Sequence, residues 1–371
     1  MLDEVYMSRA LELAKRGRFT TSPNPNVGCV IVKNNHIIGE GWHQRAGEDH
    51  AEINALKKIT VNKQAEGATV YVTLEPCSHF GKVPPCCNAL INAGIKRVVA
   101  AMTDPNPRVN GRGFHLLKQA GIEVKQGLMI NQAKMLNRGF IKRMKTGLPF
   151  IRLKLAMSID GRTAMQTGES KWITSVTSRR DVQVMRAESS ALLSSGMTIQ
   201  TDNPSLTVRW KELDEENKKF LSESTLRQPT RIIIDSKNLV TPEHHIINQP
   251  GETWLIRHIF DNNKWHNKVK QIIAPLKDGK IDITSLINIL GNLEINDILV
   301  EAGAKLSGSF IKAHAVDEII IYIAPKILGT TARGLCELNH LTELKDAFKF
   351  KFTDMSQLGK DIRLTLLPDN D

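Results

Sequence analysis

Thr73-Leu74-Glu75-Pro76-Cys77-Ser78-His79-Phe80-Gly81-Lys82-Val83-Pro84-Pro85-Cys86 decides how the first part of this chain is read. The stretch leaves a β-rich run over 68–74 and passes two Pro-Cys pairs. It then enters a helix expected over 86–93 and ended by Gly94. Upstream stands His50-Ala51-Glu52, at the head of a helix expected over 51–58, with Asp49 as its N-cap and Glu52 as capping partner. One imidazole and two thiolates, from His50, Cys77 and Cys86, suit zinc, which takes nitrogen and sulfur ligands in a tetrahedron. Three protein ligands leave the fourth position to water, whose pKa the metal lowers toward neutrality. Glu52, two residues past His50, can face that water without binding the metal and move its proton.

The order His-x-Glu, Pro-Cys, second Cys is the signature of zinc-dependent deaminases. Cys87 competes with Cys86, but neighbours on a helix point about 100° apart, so both cannot ligate easily. Cys86 is the expected ligand because Pro84-Pro85 precedes it directly, and a helix start favours its thiolate. Cys87 reads as a small buried apolar residue and Cys29, inside a strand, as core. Cys336 carries no signal.

The chain has 371 residues, which at about 100–200 residues per domain suggests two domains. A 41 % hydrophobic and 24 % charged composition excludes wholesale disorder. The net charge of +11 favours anionic partners, but the basic residues form no long run, which points to phosphorylated small molecules before nucleic acid. Five cysteines in a long chain make no disulfide framework. No stretch approaches about 18 apolar residues, so no membrane span is expected. The acidic start Met1-Leu2-Asp3-Glu4 lacks the features of a signal peptide, and a cytoplasmic protein is the expectation.

Residues 4–16 read as a helix, and 27–32 with 37–42 as a hairpin around Lys33-Asn34-Asn35-His36. A strand over 98–102, a helix over 114–120 and a short strand over 122–126 follow. This alternation predicts an α/β layered domain. Residues 143–149 read as a linker, which places the domains at 1–146 and 147–371. Beyond it, Ile151, Leu153, Leu155 and Met157 alternate with polar residues over 150–157. Later strands are expected at 231–235, 254–257, 298–301, 318–324 and 362–367, and 212–228 reads as a surface excursion.

Asn24-Pro25-Asn26-Val27-Gly28-Cys29, His50-Ala51-Glu52 and the 73–86 stretch together resemble the bifunctional riboflavin-biosynthesis deaminase–reductases, the RibD/RibG family. Ordinary cytidine and tRNA deaminases carry two residues between their thiols; here eight intervene. The resemblance spans nearly the whole chain. It implies a cytidine-deaminase-like three-layer α/β/α first domain, zinc on His50, Cys77 and Cys86, and Glu52 as proton shuttle. The implied reaction is hydrolytic removal of an amino group from a phosphoribosylamino-pyrimidinone. Asn24, His43 and Lys82 match positions implicated in substrate contacts; an asparagine can pair with a pyrimidine edge and a lysine can attract phosphate.

The second half has no G-x-G-x-x-G after a strand, so a Rossmann reading has little support. It carries Lys154-Leu-Ala-Met-Ser-Ile-Asp-Gly161, then Ser194–Thr198 leading to Thr201-Asp202-Asn203-Pro204, then Glu301-Ala-Gly303-Ala-Lys-Leu-Ser307-Gly308-Ser309. The last follows a buried strand, and a glycine loop before free helix N–H groups makes an anion site. In this order the segments resemble the reductase half of the same family. That implies a dihydrofolate-reductase-like α/β domain, NADPH as cofactor, and reduction of the ribosyl group to a ribityl chain. By resemblance Ala156, Trp172, Thr198, Asp202, Ser236 and the 303–309 loop (Gly303, Ala304, Lys305, Leu306, Ser307, Gly308, Ser309) line the cofactor. Ser170, Arg186, Leu206, Arg209 and Glu301 line the substrate, two arginines suiting a ribose phosphate. Lys154, Asp202 and Glu301 stay open as proton donors, and Asp160-Gly161 reads as a turn.

Two competing functions remain in view. A nucleic-acid deaminase with an accessory RNA-binding domain fits the charge, but the eight-residue insert and the 5 % aromatic content speak against it. A zinc-stabilised binding protein would not need Glu52. The expected partners are a phosphorylated pyrimidine and a second copy of the chain, as a dimer or tetramer, with no nucleic acid and no membrane.

Overall fold

The computed structural model describes residues 2–60, 64–78, 85–339 and 341–369. The chain divides into two compact units, Met1–Gly147 and Leu148–Asp371. In the first, α1 (Leu2–Lys15) precedes a hairpin of β1 (Gly28–Lys33) and β2 (His36–Trp42). Asn34 and Asn35 turn it with φ of 51° and 61°, the pair of left-handed conformations that a type I′ turn requires. Then come α2 (Ala51–Leu56), β3 (Thr69–Val72), α3 (Cys86–Asn92), β4 (Arg97–Ala100), α4 (Arg112–Gln119), β5 (Glu123–Gln126), α5 (Ile130–Leu136) and α6 (Arg138–Thr146). The sheet order is β2-β1-β3-β4-β5, with β1 antiparallel to β2 and β3 and the other pairs parallel.

Strand residues alternate between two cores. Cys29, Ile31, Val70, Val72, Val98 and Ala100 pack with Ala51, Ala55, Leu90, Phe114 and Leu117 of α2, α3 and α4. Their neighbours Val30, Val32, Tyr71, Val99 and Ala101 pack with Met7, Ala10 and Ala133 of α1 and α5. A period of two therefore builds three layers, α/β/α. Gly41 lets α2 lie directly on β2: a Cβ there would stand 2.4 Å from the Ala55 nitrogen and 2.5 Å from the Ala51 carbonyl oxygen. Gly41→Ala is expected to destabilise this unit by about 3 kcal/mol, an overpacking cost that thermal unfolding would register.

The second unit contains β6 (Phe150–Ser158), β7 (Arg162–Ala164), α7 (Val176–Glu188), β8 (Ala191–Ser195), α8 (Gly196–Asp202), α9 (Glu215–Lys218), β9 (Thr230–Ile234), β10 (Thr253–Arg257) and β11 (Val269–Ile273). A small hairpin, β12 (Leu276–Lys277) and β13 (Lys280–Ile281), leads to α10 (Ile283–Asn292), β14 (Asp297–Glu301), α11 (Ala304–Lys312), β15 (Glu318–Ala324), β16 (Arg333–Gly334), β17 (Phe350–Leu358) and β18 (Asp361–Pro368). Nine strands form one sheet in the order β11-β10-β9-β8-β14-β6-β15-β18-β17, parallel from β11 to β15 and closed by two antiparallel strands. Ile151, Leu153 and Leu155 of β6 pack with Leu286, Leu290 and Phe310 of α10 and α11. Leu192, Leu299 and Tyr322 face Val182, Met185 and Ile199 of α7 and α8 on the other side. Strand order reverses around β6 and β14, and in such doubly wound sheets ligands bind at the carboxyl ends of the strands at that point.

Two readings need correction. Residues 143–146 belong to α6, which runs to Thr146 and ends at Gly147 with φ 76°. The charged run hides a helix whose Gly139 is buried and whose Ile141 packs against the α1 core. The segment 303–309 is a loop only at Gly303; Ala304 onward is α11. Among the described residues, no helix is long and apolar enough to cross a membrane.

Candidate active sites

The first site gathers at the amino ends of α2 and α3. His50 is the N-cap of α2, extended at φ −75° and ψ 167°, and no side chain caps this helix. The capping box expected from Asp49 and Glu52 therefore does not form. The Asp49 carboxylate pairs with Lys57, while its carbonyl oxygen accepts from Asn54 Nδ2 at 3.2 Å. Freed of that task, Glu52 turns inward and is only 3 % exposed.

His50 Nδ1 lies 3.5 Å from Cys77 Sγ and 3.3 Å from Cys86 Sγ. A tetrahedral zinc with ordinary Zn–S and Zn–N bonds sets such atoms roughly 3.5 Å apart, so the three ligand atoms have the spacing of a zinc cage. The backbone N–H of Cys86 donates to Cys77 Sγ at 3.3 Å, so the start of α3 serves Cys77 rather than Cys86. The Cys86 thiol, the His50 imidazole and that N–H hold Cys77 well below the usual thiol range. Its thiolate, with burial, pushes Cys86 up. Burial pushes Glu52 up to about 7, the range a proton shuttle needs. Cys87 points elsewhere: its thiol donates to the carbonyls of Pro76 at 3.3 Å and Gly113 at 3.5 Å, and burial pushes it up to about 12.

Asn24 and His43 stand beside the cage. The His43 ring packs edge-on against that of His50, centroids 5.4 Å apart, and burial holds it below its ordinary range. Lys82 lies outside the described residues, as does His79. One residue that the sequence reading passed over anchors the site from behind. Glu75 is buried, and its carboxylate accepts from the backbone N–H groups of Asp104 at 3.1 Å, Gly111 at 2.9 Å and Gly113 at 2.9 Å. A carboxylate closing an apolar strand just before Pro-Cys was the available signal. Glu75→Gln, which turns an NH2 toward one of those donors, is expected to cost about 2–3 kcal/mol by calorimetry.

The second site lies at the carboxyl ends of β6, β14 and β8. Lys154 and Glu301 pair in register on adjacent strands, Nζ to carboxylate 3.7 Å. Arg186 of α7 grips the same carboxylate through Nε at 2.6 Å and Nη2 at 3.0 Å, and donates to the Thr207 carbonyl at 3.0 Å. Burial alone would raise Glu301, but Arg186 and Lys154 outweigh it and hold the carboxyl at about 2. Burial lowers Lys154. The expectation of two arginine forks open to a phosphate needs correction: the fork of Arg186 is filled by Glu301. Arg209 is about half exposed and pairs with Glu212 at 2.7 Å.

Gly303 caps α11 without any side-chain hydrogen bond, and a Cβ there would meet nothing within 4 Å. The first-turn N–H groups are thus uncapped, as a cofactor diphosphate would need. Gly303, Ala304 and Lys305 open this turn, with Leu306 partly buried behind them. Ser307 and Gly308 are buried instead, Gly308 packing on the Glu337 carbonyl, and Ser309 Oγ donates to the Lys305 carbonyl. Those three do not line an open loop as expected. Thr198 sits in the first turn of α8, its N–H capped by Ser195 Oγ at 3.2 Å. Ala156 is half-buried on β6, Ser236 half-buried after β9, and Ser170 half-buried before α7. Leu206 is buried at φ 47°, and Asp202 is exposed at the end of α8. Trp172 is exposed under the Arg179 guanidinium, 4.6 Å from its centroid. Asp160 is more than a turn residue, since its carboxylate accepts from the Leu328 and Gly329 N–H groups.

Residues 1–102 match the family described as the cytidine and deoxycytidylate deaminase zinc-binding region, and 149–364 match the RibD C-terminal domain. Fold and matches define a two-unit enzyme, a cytidine-type deaminase joined to a reductase. The riboflavin biosynthesis protein RibD of Escherichia coli K12 is 57 % identical over 367 residues, 99 % of this chain and 100 % of that protein. The structure of Acinetobacter baumannii RibD superposes with a TM-score of 0.90 at 42 % identity, covering 100 % of this chain and 99 % of that one. A Thermotoga maritima diaminohydroxyphosphoribosylaminopyrimidine deaminase/5-amino-6-(5-phosphoribosylamino)uracil reductase does so with 0.86 at 32 % identity, covering 99 % of both. The chain belongs to the RibD family and is a bifunctional enzyme of riboflavin biosynthesis. A nucleic-acid deaminase is not favoured.

Proposed function

We propose that this enzyme deaminates 2,5-diamino-6-(5-phosphoribosylamino)pyrimidin-4-one to the corresponding uracil, then reduces its ribosyl group to ribityl with NADPH. The cage of His50, Cys77 and Cys86 with Glu52 buried beside it carries the first half. Its nitrogen and sulfur donors fit zinc, which would supply a Lewis acid and an activated water. Glu52 would move the two protons of a water, one to the ring nitrogen and one to the departing amine, while the water's oxygen bonds the ring carbon as the new carbonyl and the C–N bond breaks to release ammonia. Asn24 holds the pyrimidine edge. Lys82 joins the reading as a phosphate contact on resemblance alone.

In the second half, Gly303 and the uncapped turn of α11 fit a dinucleotide's diphosphate, and NADPH when bound supplies the hydride. Opening the ribose moves a proton from the glycosidic nitrogen to the ring oxygen and leaves a C=N bond. Hydride then adds to carbon and a proton to nitrogen. Lys154 supplies that proton, its ammonium held by Glu301, which Arg186 in turn fixes in place. Arg209 is the better candidate for the phosphate. The test supplies the phosphorylated pyrimidine and NADPH to zinc-loaded protein and follows ammonia and nicotinamide absorbance together. Ammonia first and NADPH loss second supports both halves; ammonia alone overturns the cofactor assignment, and neither overturns the substrate.

A further inference from the structure

His43 uses both of its ring nitrogens inside the protein. Nδ1 lies 3.1 Å from the carbonyl oxygen of Asp49, a group that can only accept, so Nδ1 carries the proton. Nε2 then has a bare lone pair, and 3.1 Å from it stands Asn24 Nδ2, which donates. The ring is 2 % exposed, closed in by the edge-on contact with His50. No nitrogen is left for a ligand. The consequence falls on Asn24. A tethered Nδ2 turns Oδ1 the other way, and among the described residues Asn24 Oδ1 meets no protein donor. Asn24 thereby offers an acceptor of fixed orientation.

We infer that His43 is a positioning residue that acts through Asn24, locking its amide so that Oδ1 accepts an N–H of the pyrimidine edge. The inference rests on the reading of Asn24 as a substrate contact. It deepens that reading: the deaminase selects a ring that offers a donor where Asn24 Oδ1 points. His43, matched by resemblance to substrate-contact positions, takes no part in contact. The tether is relayed from the backbone of Asp49, directly before the N-cap His50, so the orientation of Asn24 is set by the element that presents the cage.

A double-mutant cycle tests this, because residues acting through one another are non-additive. Deaminase kcat and KM are measured for Asn24→Ala, His43→Ala and the double variant, with zinc content determined for each. Each single change is expected to lower kcat/KM about tenfold to a hundredfold, a hydrogen bond's worth. The double variant should match Asn24→Ala. Losses that multiply overturn the inference, since His43 would then act on its own. Two conservative variants separate the nitrogens. His43→Gln places a carbonyl oxygen near the position of Nε2 and should recover much of the loss; His43→Asn mimics only Nδ1 and should not. Rescue by asparagine alone, or loss of zinc from the His43 variants, assigns the ring to the support of α2 or of His50 and also overturns it. An unaffected Asn24→Ala enzyme removes Asn24 from the substrate, so the proposed contact falls with it; Glu52→Gln tests the deaminase assignment independently.

Discussion

Glu52→Gln is expected to remove about a thousandfold of deaminase turnover while the protein keeps one zinc. The glutamine has nearly the same shape, but it can neither accept the proton of a water nor return it to the leaving amine. The cage atoms are His50 Nδ1, Cys77 Sγ and Cys86 Sγ, and none belongs to Glu52, so metal analysis should show no change. Reduction of separately supplied deaminated pyrimidine should continue at the parent rate. Retention of full ammonia release would remove Glu52 from the chemistry. The same variant has a second, opposite expectation in zinc-free protein. There the buried carboxyl titrates at about 7, above its unfolded value, so the folded state binds the extra proton between those values. Stability contributed by this group therefore falls as pH rises from about 4.5 to about 7. At pH 8, chelated Glu52→Gln protein should be more stable than chelated parent, by at most about 3 kcal/mol, and the advantage should vanish near pH 4.

Lys154→Met is expected to lower the reductase kcat about a hundredfold to ten-thousandfold with little change in NADPH affinity. The three candidates for proton donor separate on their surroundings. Glu301, held well below the usual carboxylate range by its two cationic partners, is an ionised acceptor near neutral pH and a poor proton donor. Asp202 is exposed at the end of α8, outside the Lys154–Glu301–Arg186 cluster. Lys154 is 19 % exposed, lies at the strand reversal, and burial moves it toward neutrality, where ammonium groups transfer protons readily. Methionine keeps the apolar stem and removes the charge. A Lys154→Met enzyme with unchanged kcat on the deaminated substrate would return the role to one of the other two groups.

The elements that the sequence announced were those whose burial alternates with the local period. β6 shows this plainly, with Ile151, Leu153 and Leu155 inward and Arg152 and Lys154 away from that core. β17 was invisible because Phe350–Leu358 is an edge strand whose residues are largely exposed, held by backbone pairing with β18. No burial pattern marks such a strand. α6 was missed because its basic residues outweigh a narrow apolar stripe, and α5 because seven residues are too few to show a helical period. In the first site, residue types and spacing named His50, Cys77 and Cys86, which the fold brings within 4.8 Å of one another. The role of Glu75 was not legible, since its partners are backbone N–H groups supplied by Asp104, Gly111 and Gly113. Nor was the occupation of the Arg186 fork, because Glu301 lies 115 residues away along the chain.

Central placement of β6 has a consequence for synthesis. Its two neighbours, β14 and β15, begin at Asp297 and Glu318, far downstream of Ser158. At about 5–20 residues per second, β6 leaves the ribosome roughly 7–30 s before β14 exists to pair with it. During that interval Ile151, Leu153 and Leu155 have neither strand partner nor α11 to cover them. The deaminase unit, already complete, is free to fold in the meantime. A nascent reductase unit is thus a long-lived, sticky intermediate. Ribosome stalling before Asp297 should expose this strand to chaperones, while His50, Cys77 and Cys86 have long since been made.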